Sequence, residues 1–167
     1  SVWPEFALAY GRKDYNRMIS LHRSSVFISN MLCLIISIFI IALGKYIFQF
    51  WLQGKIDFNF SLLLALIIAF NINNLWNTSS VALVSTNNHS KFGLLYVGCT
   101  LLSVGIVCLI SVNSKNLSFV AFSTIIGESI LASYLFRQSI LLTHDSVSLF
   151  VKDYINKIRK IVNNEVG

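Results

Sequence analysis

Four long apolar runs are the feature of this sequence that most restricts its fold. They occupy residues 24–43, 59–84, 92–112 and 117–136, and each is close to the roughly 20 helical residues that cross about 30 Å of hydrocarbon. Because backbone groups in lipid need partners within the protein, helices are predicted, and transmembrane strands of about 10 alternating residues do not fit these runs. The sequence therefore predicts an all-α membrane protein with four transmembrane helices.

Composition supports this class of protein and argues against others. Apolar residues make up 55% of the chain and charged residues only 12%, which is too few for an ordinary soluble domain. The net charge is +6, but the basic residues lie in the flanks and the C-terminal segment instead of one large patch. The expected partner of these charges is therefore a surface of anionic membrane lipids, and no nucleic acid is expected to bind.

The Lys and Arg residues fall unevenly on the two sides of the predicted spans. Ten lie before the first span, between the second and third spans, or after the fourth span, and three lie on the other side, which together account for the chain's 13. The positive-inside rule then places both ends of the chain in the cytoplasm. This orientation requires an even number of spans, as the four apolar runs do independently.

The segments outside the spans are predicted to associate with the membrane. Residues 1–23 are interpreted as the end of a preceding helix and a basic cytoplasmic loop, with Asp14 as the N-cap of the next helix. The start at Ser1 indicates a piece of a longer protein. Residues 137–167 form a basic tail with apolar residues at helical spacing, namely Val147, Val151, Tyr154, Ile158 and Ile161. This pattern predicts an amphipathic interfacial helix on anionic lipid, and packing against a missing part of the protein is the alternative.

The second span carries an unexpectedly polar segment, NINNLWN, at residues 71–77. On a helical wheel its amides share one half of the helix with Thr78, Ser80 and Ser85, and the other half is apolar, with Ile72, Leu75, Trp76 and Leu83. A polar face within a membrane helix must contact protein or water. The face is predicted to line the path of a polar substrate through Asn71, Asn74, Asn77 and Thr78, and hydrogen bonding between helices is the alternative.

Glu128 is the only acidic residue deep within a predicted span. At 1.5 Å per residue it lies roughly 16 Å from the N-terminal end of that span and roughly 12 Å from its C-terminal end. A carboxylate at this depth is expected to face a cavity, pair with a cation or carry a proton. A protonated side chain that hydrogen-bonds a neighbouring helix is the alternative.

The third span is predicted to serve packing. Gly98 and Gly105 lie seven residues apart, with Ser103 and Cys108 nearby, so that small side chains form one face suited to close helix approach. The chain contains no phosphate-binding loop, nucleophile elbow or dinucleotide fingerprint, and its His and Cys residues have no metal-ligand spacing. No enzymatic activity, cofactor or metal site is therefore predicted.

Several motifs taken in order resemble a known family. They are WPEFALAYGRKDYNRM before the first span, FWLQG after it, the polar-faced span leading to STNNHSK, and IIGESI in the last span. In this order they resemble the C-terminal third of bacterial O-antigen flippases, which are polysaccharide-biosynthesis membrane proteins of the multidrug, oligosaccharidyl-lipid and polysaccharide exporter superfamily. The resemblance implies a fragment of a two-lobed transporter of roughly twelve helices in the bacterial inner membrane.

The resemblance also implies a function that this chain would not perform alone. Such a transporter flips undecaprenyl-pyrophosphate-linked oligosaccharide across the membrane by alternating access, with the missing N-terminal helices as partners. Asn71, Asn74, Asn77 and Thr78 would contact sugar hydroxyls, and Glu128 would bind a coupling proton or sodium ion. A multidrug or cation antiporter of the same superfamily and a structural membrane subunit remain alternatives. A membrane-bound polymerase or acyltransferase would need a larger polar loop than the short connections in this sequence.

Overall fold

The chain forms a bundle of α-helices. The computed structural model describes residues 2–53, 57–88, 90–113 and 117–164, and all regular structure within them is helical. Lys55 and Lys115, two of the three Lys residues on the less basic side, lie outside the described residues. Six helices follow in chain order: α1 (Val2–Gly11), α2 (Tyr15–Leu52), α3 (Phe60–Ser85), α4 (Ser90–Asn113), α5 (Leu117–Thr143) and α6 (Val147–Asn164). The predicted all-helical class is confirmed, and α2 to α5 are long and apolar enough to cross a membrane.

α2 begins well before the first predicted span. Asp14 is its N-cap, and the Asp14 carboxylate accepts a hydrogen bond from the Arg17 amide at 3.0 Å. Arg17 and Arg23 therefore belong to the helix, and the prediction of a basic loop reaching residue 23 is wrong. The physical reason is that a capped helix keeps its internal hydrogen bonds beyond the end of an apolar run, so hydropathy alone does not mark its first residue.

α5 also exceeds its predicted span, because it continues past Phe136 to Thr143. Residues 137–143 are therefore part of this helix, and the prediction that they belong to the C-terminal tail is wrong. The Thr143 hydroxyl donates to the Ser139 carbonyl at 2.9 Å, and both side chains are buried. A turn at residues 144–146 then separates α5 from α6.

α3 lies between α2 and α5, α4 packs on α5, and α1 packs on α2 and α3. The main buried cluster joins α3, α4 and α5 through Trp76, Leu83, Cys99, Leu131, Ala132 and Leu135. A second cluster joins α1, α2 and α3 through Phe6, Ala9, Met18 and Ala82. With apolar contacts on two sides, α3 is held so that Asn71, Asn73, Asn74 and Thr78 point toward neighbouring helices.

α4 and α5 approach each other closely at Gly127, and not at the glycines of the third span. A Cβ added to Gly127 would overlap the Ser103 hydroxyl and lie 3.3 Å from the Cys99 carbonyl oxygen. Open space surrounds Gly98 and Gly105, so neither glycine is in close contact with another described helix, whereas Ser103 of the same predicted face is at the contact with Gly127. Small-residue spacing on one helix does not locate the contact, because the crossing point depends on small residues of the partner helix as well.

An ion pair links the turn between α5 and α6 to the N-terminal part of α2. Arg23 donates from Nε and Nη2 to the two carboxylate oxygens of Asp145, at 2.8 and 2.5 Å. The Asp145 side chain is 1% exposed and that of Arg23 is 19% exposed. Burial by itself would raise the pKa of Asp145, but hydrogen bonds from Arg23 and from the Ser146 amide hold that pKa below its usual range.

Candidate functional site

The polar residues of α3 divide between two neighbouring helices. Toward α2, the Asn74 Nδ2 donates to the Asn30 Oδ1 at 3.0 Å, and the Asn74 Oδ1 accepts from the Ser29 hydroxyl at 2.7 Å. The Thr78 hydroxyl lies 3.1 Å from the same Ser29 hydroxyl. Two of the predicted site residues, Asn74 and Thr78, therefore belong to one hydrogen-bonded network between α2 and α3.

The residues of α2 that face this network were missed by the sequence analysis. Ser25, Ser29, Cys33 and Ser37 follow one another at intervals of four, which places them on one face of the helix. Their small side chains let α3 approach, and the Asn71 Nδ2 donates to the Ser37 hydroxyl at 2.8 Å. This spacing in the first apolar run was the signal that could have identified the partner face.

Asn77 differs from the other predicted site residues. Its side chain is exposed and has no hydrogen-bond partner in the part of the chain that the structure describes, although its carbonyl accepts from Ser80 at 2.7 Å. Together with Asn74 and Thr78 it lines an open crevice of about 500 Å³ on the surface formed by α1, α2 and α3, and the other lining residues are Val2, Ser25, Ile28, Ser29, Leu32 and Val81. Asn71 does not line this crevice, which we call the α2–α3 crevice.

Glu128 connects α5 to α3 on the other side of the bundle. Its Oε2 accepts hydrogen bonds from the Asn73 Nδ2 at 3.1 Å and from the Trp76 Nε1 at 2.5 Å. The wheel placed Trp76 in the apolar half of α3, and its ring does pack against Phe92 and Tyr96 of α4. The indole N–H at the ring edge nevertheless reaches the carboxylate, as buried Trp side chains commonly find a polar partner.

A cavity of about 280 Å³ lies beside Glu128, between α4 and α5. Thr100, Ser103 and Thr124 contribute hydroxyl groups to its lining. The Thr100 hydroxyl donates to the Tyr96 carbonyl at 2.8 Å and the Thr124 hydroxyl to the Ala121 carbonyl at 2.7 Å, so that their oxygens retain lone pairs that can accept or coordinate. A carboxylate with several hydroxyl oxygens can hold a proton or a hard cation.

The predicted site residues are therefore not one constellation. Asn74, Asn77 and Thr78 lie on the α2–α3 crevice, Asn71 is bonded to α2, and Glu128 faces α4 and α3 from α5. The residues that bond Glu128 are Asn73 and Trp76, which are outside the predicted set. α3 is the helix that contributes both to the crevice wall and to the hydrogen bonds of Glu128.

Thiol accessibility tests whether water reaches the crevice. A cysteine in place of Asn77 is expected to react rapidly with a membrane-impermeant thiol reagent, whereas a cysteine in place of the fully buried Ser79 is expected to stay unreacted. The native thiols are first removed by Cys33→Ala, Cys99→Ala and Cys108→Ser. Equal protection at positions 77 and 79 in the lipid-embedded protein would show that the crevice is dry.

Comparison of this chain with models of protein families, with curated proteins and with solved structures finds no match.

Proposed function

We propose that this chain forms part of a transporter that moves a lipid-linked oligosaccharide across a bacterial inner membrane, with the α2–α3 crevice lining the path of the sugar. The observation that carries the proposal is Asn77, an amide on a membrane helix that has no side-chain partner within the described residues and lies beside Asn74 and Thr78 on the crevice wall. An amide left in lipid is costly, so a polar occupant or water is expected there.

The chemistry of the crevice suits sugar hydroxyls. Amides offer donors and acceptors, hydroxyls offer both, and none of the residues lining the crevice carries a charge. Neutral hydrogen bonds contribute only about 1 kcal/mol each, which allows a cargo to be released after it crosses. The identity of the cargo, an undecaprenyl-pyrophosphate-linked oligosaccharide, comes from the resemblance of the sequence to O-antigen flippases.

Glu128 is the proposed site for a coupling proton or sodium ion. Both hydrogen-bond donors from α3 reach its Oε2, and the hydroxyl-lined cavity lies alongside. Protonation or cation binding at this carboxylate would change its bonds to Asn73 and Trp76. Because α3 also carries the crevice amides, such a change is transmitted to the sugar path by one helix.

The proposal requires more protein than the four long helices described. The resemblance to O-antigen flippases implies two lobes of roughly twelve helices around a central cavity, so the cargo path would be completed by helices of the same transporter. Placement of both ends of the chain in the cytoplasm is part of the proposal and follows from the distribution of Lys and Arg.

Asn77→Leu in a full-length parent protein tests the proposal. This substitution removes no hydrogen bond made by the side chain within the described residues, so membrane insertion and stability should be unchanged. Export of surface polysaccharide should fall roughly tenfold, the effect of losing about 1.4 kcal/mol of interaction with the cargo. Glu128→Gln and Asn74→Leu should also reduce export, and Phe70→Leu, at an exposed apolar position, is the matched control on the same helix. Export at the unsubstituted level in Asn77→Leu would refute the assignment of the crevice.

A structural membrane subunit is the second candidate, and the interhelical hydrogen bonds favour it. Asn71, Asn74 and Asn73 each bond a side chain of another helix, and such bonds stabilise membrane helix pairs by about 0.6 to 2 kcal/mol. If the chain is a structural subunit, Asn71→Leu lowers the free energy of unfolding by about 0.6 to 2 kcal/mol, and Asn77→Leu changes neither stability nor export. The two functions therefore differ in the outcome at Asn77.

A further inference from the structure

α6 is attached to the bundle along only one of its faces. Phe150 is buried between His22 and Phe136, with ring-centroid distances of 5.6 and 5.0 Å. The Tyr154 ring packs edge-to-face on Phe27 at 5.1 Å. Tyr154, predicted as part of the free apolar stripe, therefore belongs to the attached face, and α6 is held against α2 and α5.

The basic residues of α6 do not share one role. The Lys157 Nζ pairs with Asp153 at 3.0 Å and lies 5.6 Å from the centroid of the Phe27 ring, so this charge is used within the protein. Lys152 and Arg159 are exposed and form no ion pair with any other described residue. On the wheel they lie within about 60° of Ile155, at the border of the outward apolar face.

That outward face is apolar and exposed. Val147, Val151, Ile155 and Ile158 fall within an arc of about 80° on the wheel, and all four are exposed. Lys152 and Arg159 border this arc and line the same shallow groove as Val147, Val151 and Ile155. We call this surface, made of the four aliphatic residues and the two cations, the α6 outer face.

We propose that the α6 outer face binds the anionic phospholipid headgroups of the bilayer, with its aliphatic residues in the upper acyl region and Lys152 and Arg159 on headgroup phosphates. The inner face of α6 contacts Phe27, which lies at the start of the first apolar run at residues 24–43, so the helix is held at the level where the hydrocarbon begins. Aliphatic residues bordered by cations are the composition of helices that lie at a membrane surface. The proposal goes beyond the transport function and does not depend on the cargo.

Fluorescent labels on the two sides of α6 test the proposal in the full chain reconstituted in lipid nanodiscs. A single cysteine replaces Ile155 on the outer face or Leu149 on the opposite side of the helix, which are 44% and 55% exposed and so form a matched pair. The native thiols are removed as above, and an environment-sensitive dye is attached. In phosphatidylcholine containing phosphatidylglycerol, we expect the dye at position 155 to report an apolar environment and to be quenched by lipids brominated on their upper acyl chains. The dye at position 149 should remain exposed to water.

The contribution of charge is tested by neutral substitutions. Lys152→Gln and Arg159→Gln should each reduce the ratio of inserted to water-exposed dye at position 155 roughly fivefold, the change that corresponds to about 1 kcal/mol per basic residue near an anionic surface. Lys160→Gln, a cation near Leu149 on the wheel, should have no effect. Equal signals at positions 149 and 155, insertion that is the same in pure phosphatidylcholine, or protection of position 155 that appears only when another protein is added would each overturn the proposal.

Discussion

Arg23→Ala is expected to lower the free energy of unfolding by roughly 3 kcal/mol, because it leaves the Asp145 carboxylate buried without its cation. Unfolding in detergent micelles, followed by circular dichroism at pH 7, measures the change. The matched control is Arg17→Ala, which removes an ion pair with Glu5 whose side chains are 55% and 51% exposed. That loss should stay below about 1 kcal/mol. Equal losses of unfolding free energy in the two variants would show that the ion pair between Arg23 and Asp145 does not stabilise the turn between α5 and α6.

The same ion pair predicts how stability depends on pH. The pKa of Asp145 is lower in the folded protein than its usual value, so its contribution is fully present above about pH 4, the ordinary pKa of an aspartic acid. Stability from this group is lost as the pH falls through the lower, folded pKa. The difference in stability between the unsubstituted chain and Asp145→Asn should therefore be constant from pH 7 to about pH 5 and shrink at more acidic pH.

Gly127→Val is expected to destabilise the packing of α4 on α5 by about 1 to 3 kcal/mol. The added side chain would overlap the Ser103 hydroxyl and press on the Cys99 carbonyl, and a backbone carbonyl cannot turn away as a side chain can. Unfolding in detergent micelles measures the loss, and a disulfide engineered between α4 and α5 should form more slowly in the variant.

Gly98→Val is the control for this substitution. It adds the same side chain to a helical glycine with open space around its Cβ position, so stability should hold or rise slightly with the better helix propensity. A smaller side chain gives a second comparison. Adding Ser103→Gly to Gly127→Ala should recover part of the stability that Gly127→Ala alone loses. A Gly98→Val variant as unstable as Gly127→Val would show that the loss is not specific to the contact between α4 and α5.

The class of fold was predictable because membrane lipid imposes a length and a composition on each span. The four runs near residues 24–43, 59–84, 92–112 and 117–136 lie within helices of the structure, except for Asn59, which is the N-cap of α3. Hydropathy did not locate the ends of α2 and α5. The start of α2 was predicted only from the capping preference of Asp14, and the continued hydrogen bonding after Phe136 is a local backbone effect that hydropathy does not measure.

The candidate site was only partly predictable for a different reason. Periodicity on α3 identified a polar face but could not tell which neighbouring helix each residue contacts, and it placed Trp76, a donor to Glu128, in the apolar half. Asn73 and Asn74 are adjacent in sequence, yet the first bonds Glu128 of α5 and the second bonds α2. A helical wheel describes one helix at a time. Whether a polar residue of α3 faces the α2–α3 crevice, the network with α2 or the Glu128 carboxylate depends on where the other helices lie.

α2 has a mechanical consequence that follows from its continuity. Its 38 residues extend about 57 Å at 1.5 Å per residue, and the chain's single proline, Pro4, lies in α1. Between Arg23 and Ser37 the helix therefore has no proline hinge, and this segment, about 21 Å long, behaves as a rigid rod. Arg23 pairs with Asp145 in the turn between α5 and α6. A rotation or tilt of α2 at Arg23 must therefore move Ser29 and Ser37 together. The hydrogen bonds between α2 and α3 would then break together, and not one at a time.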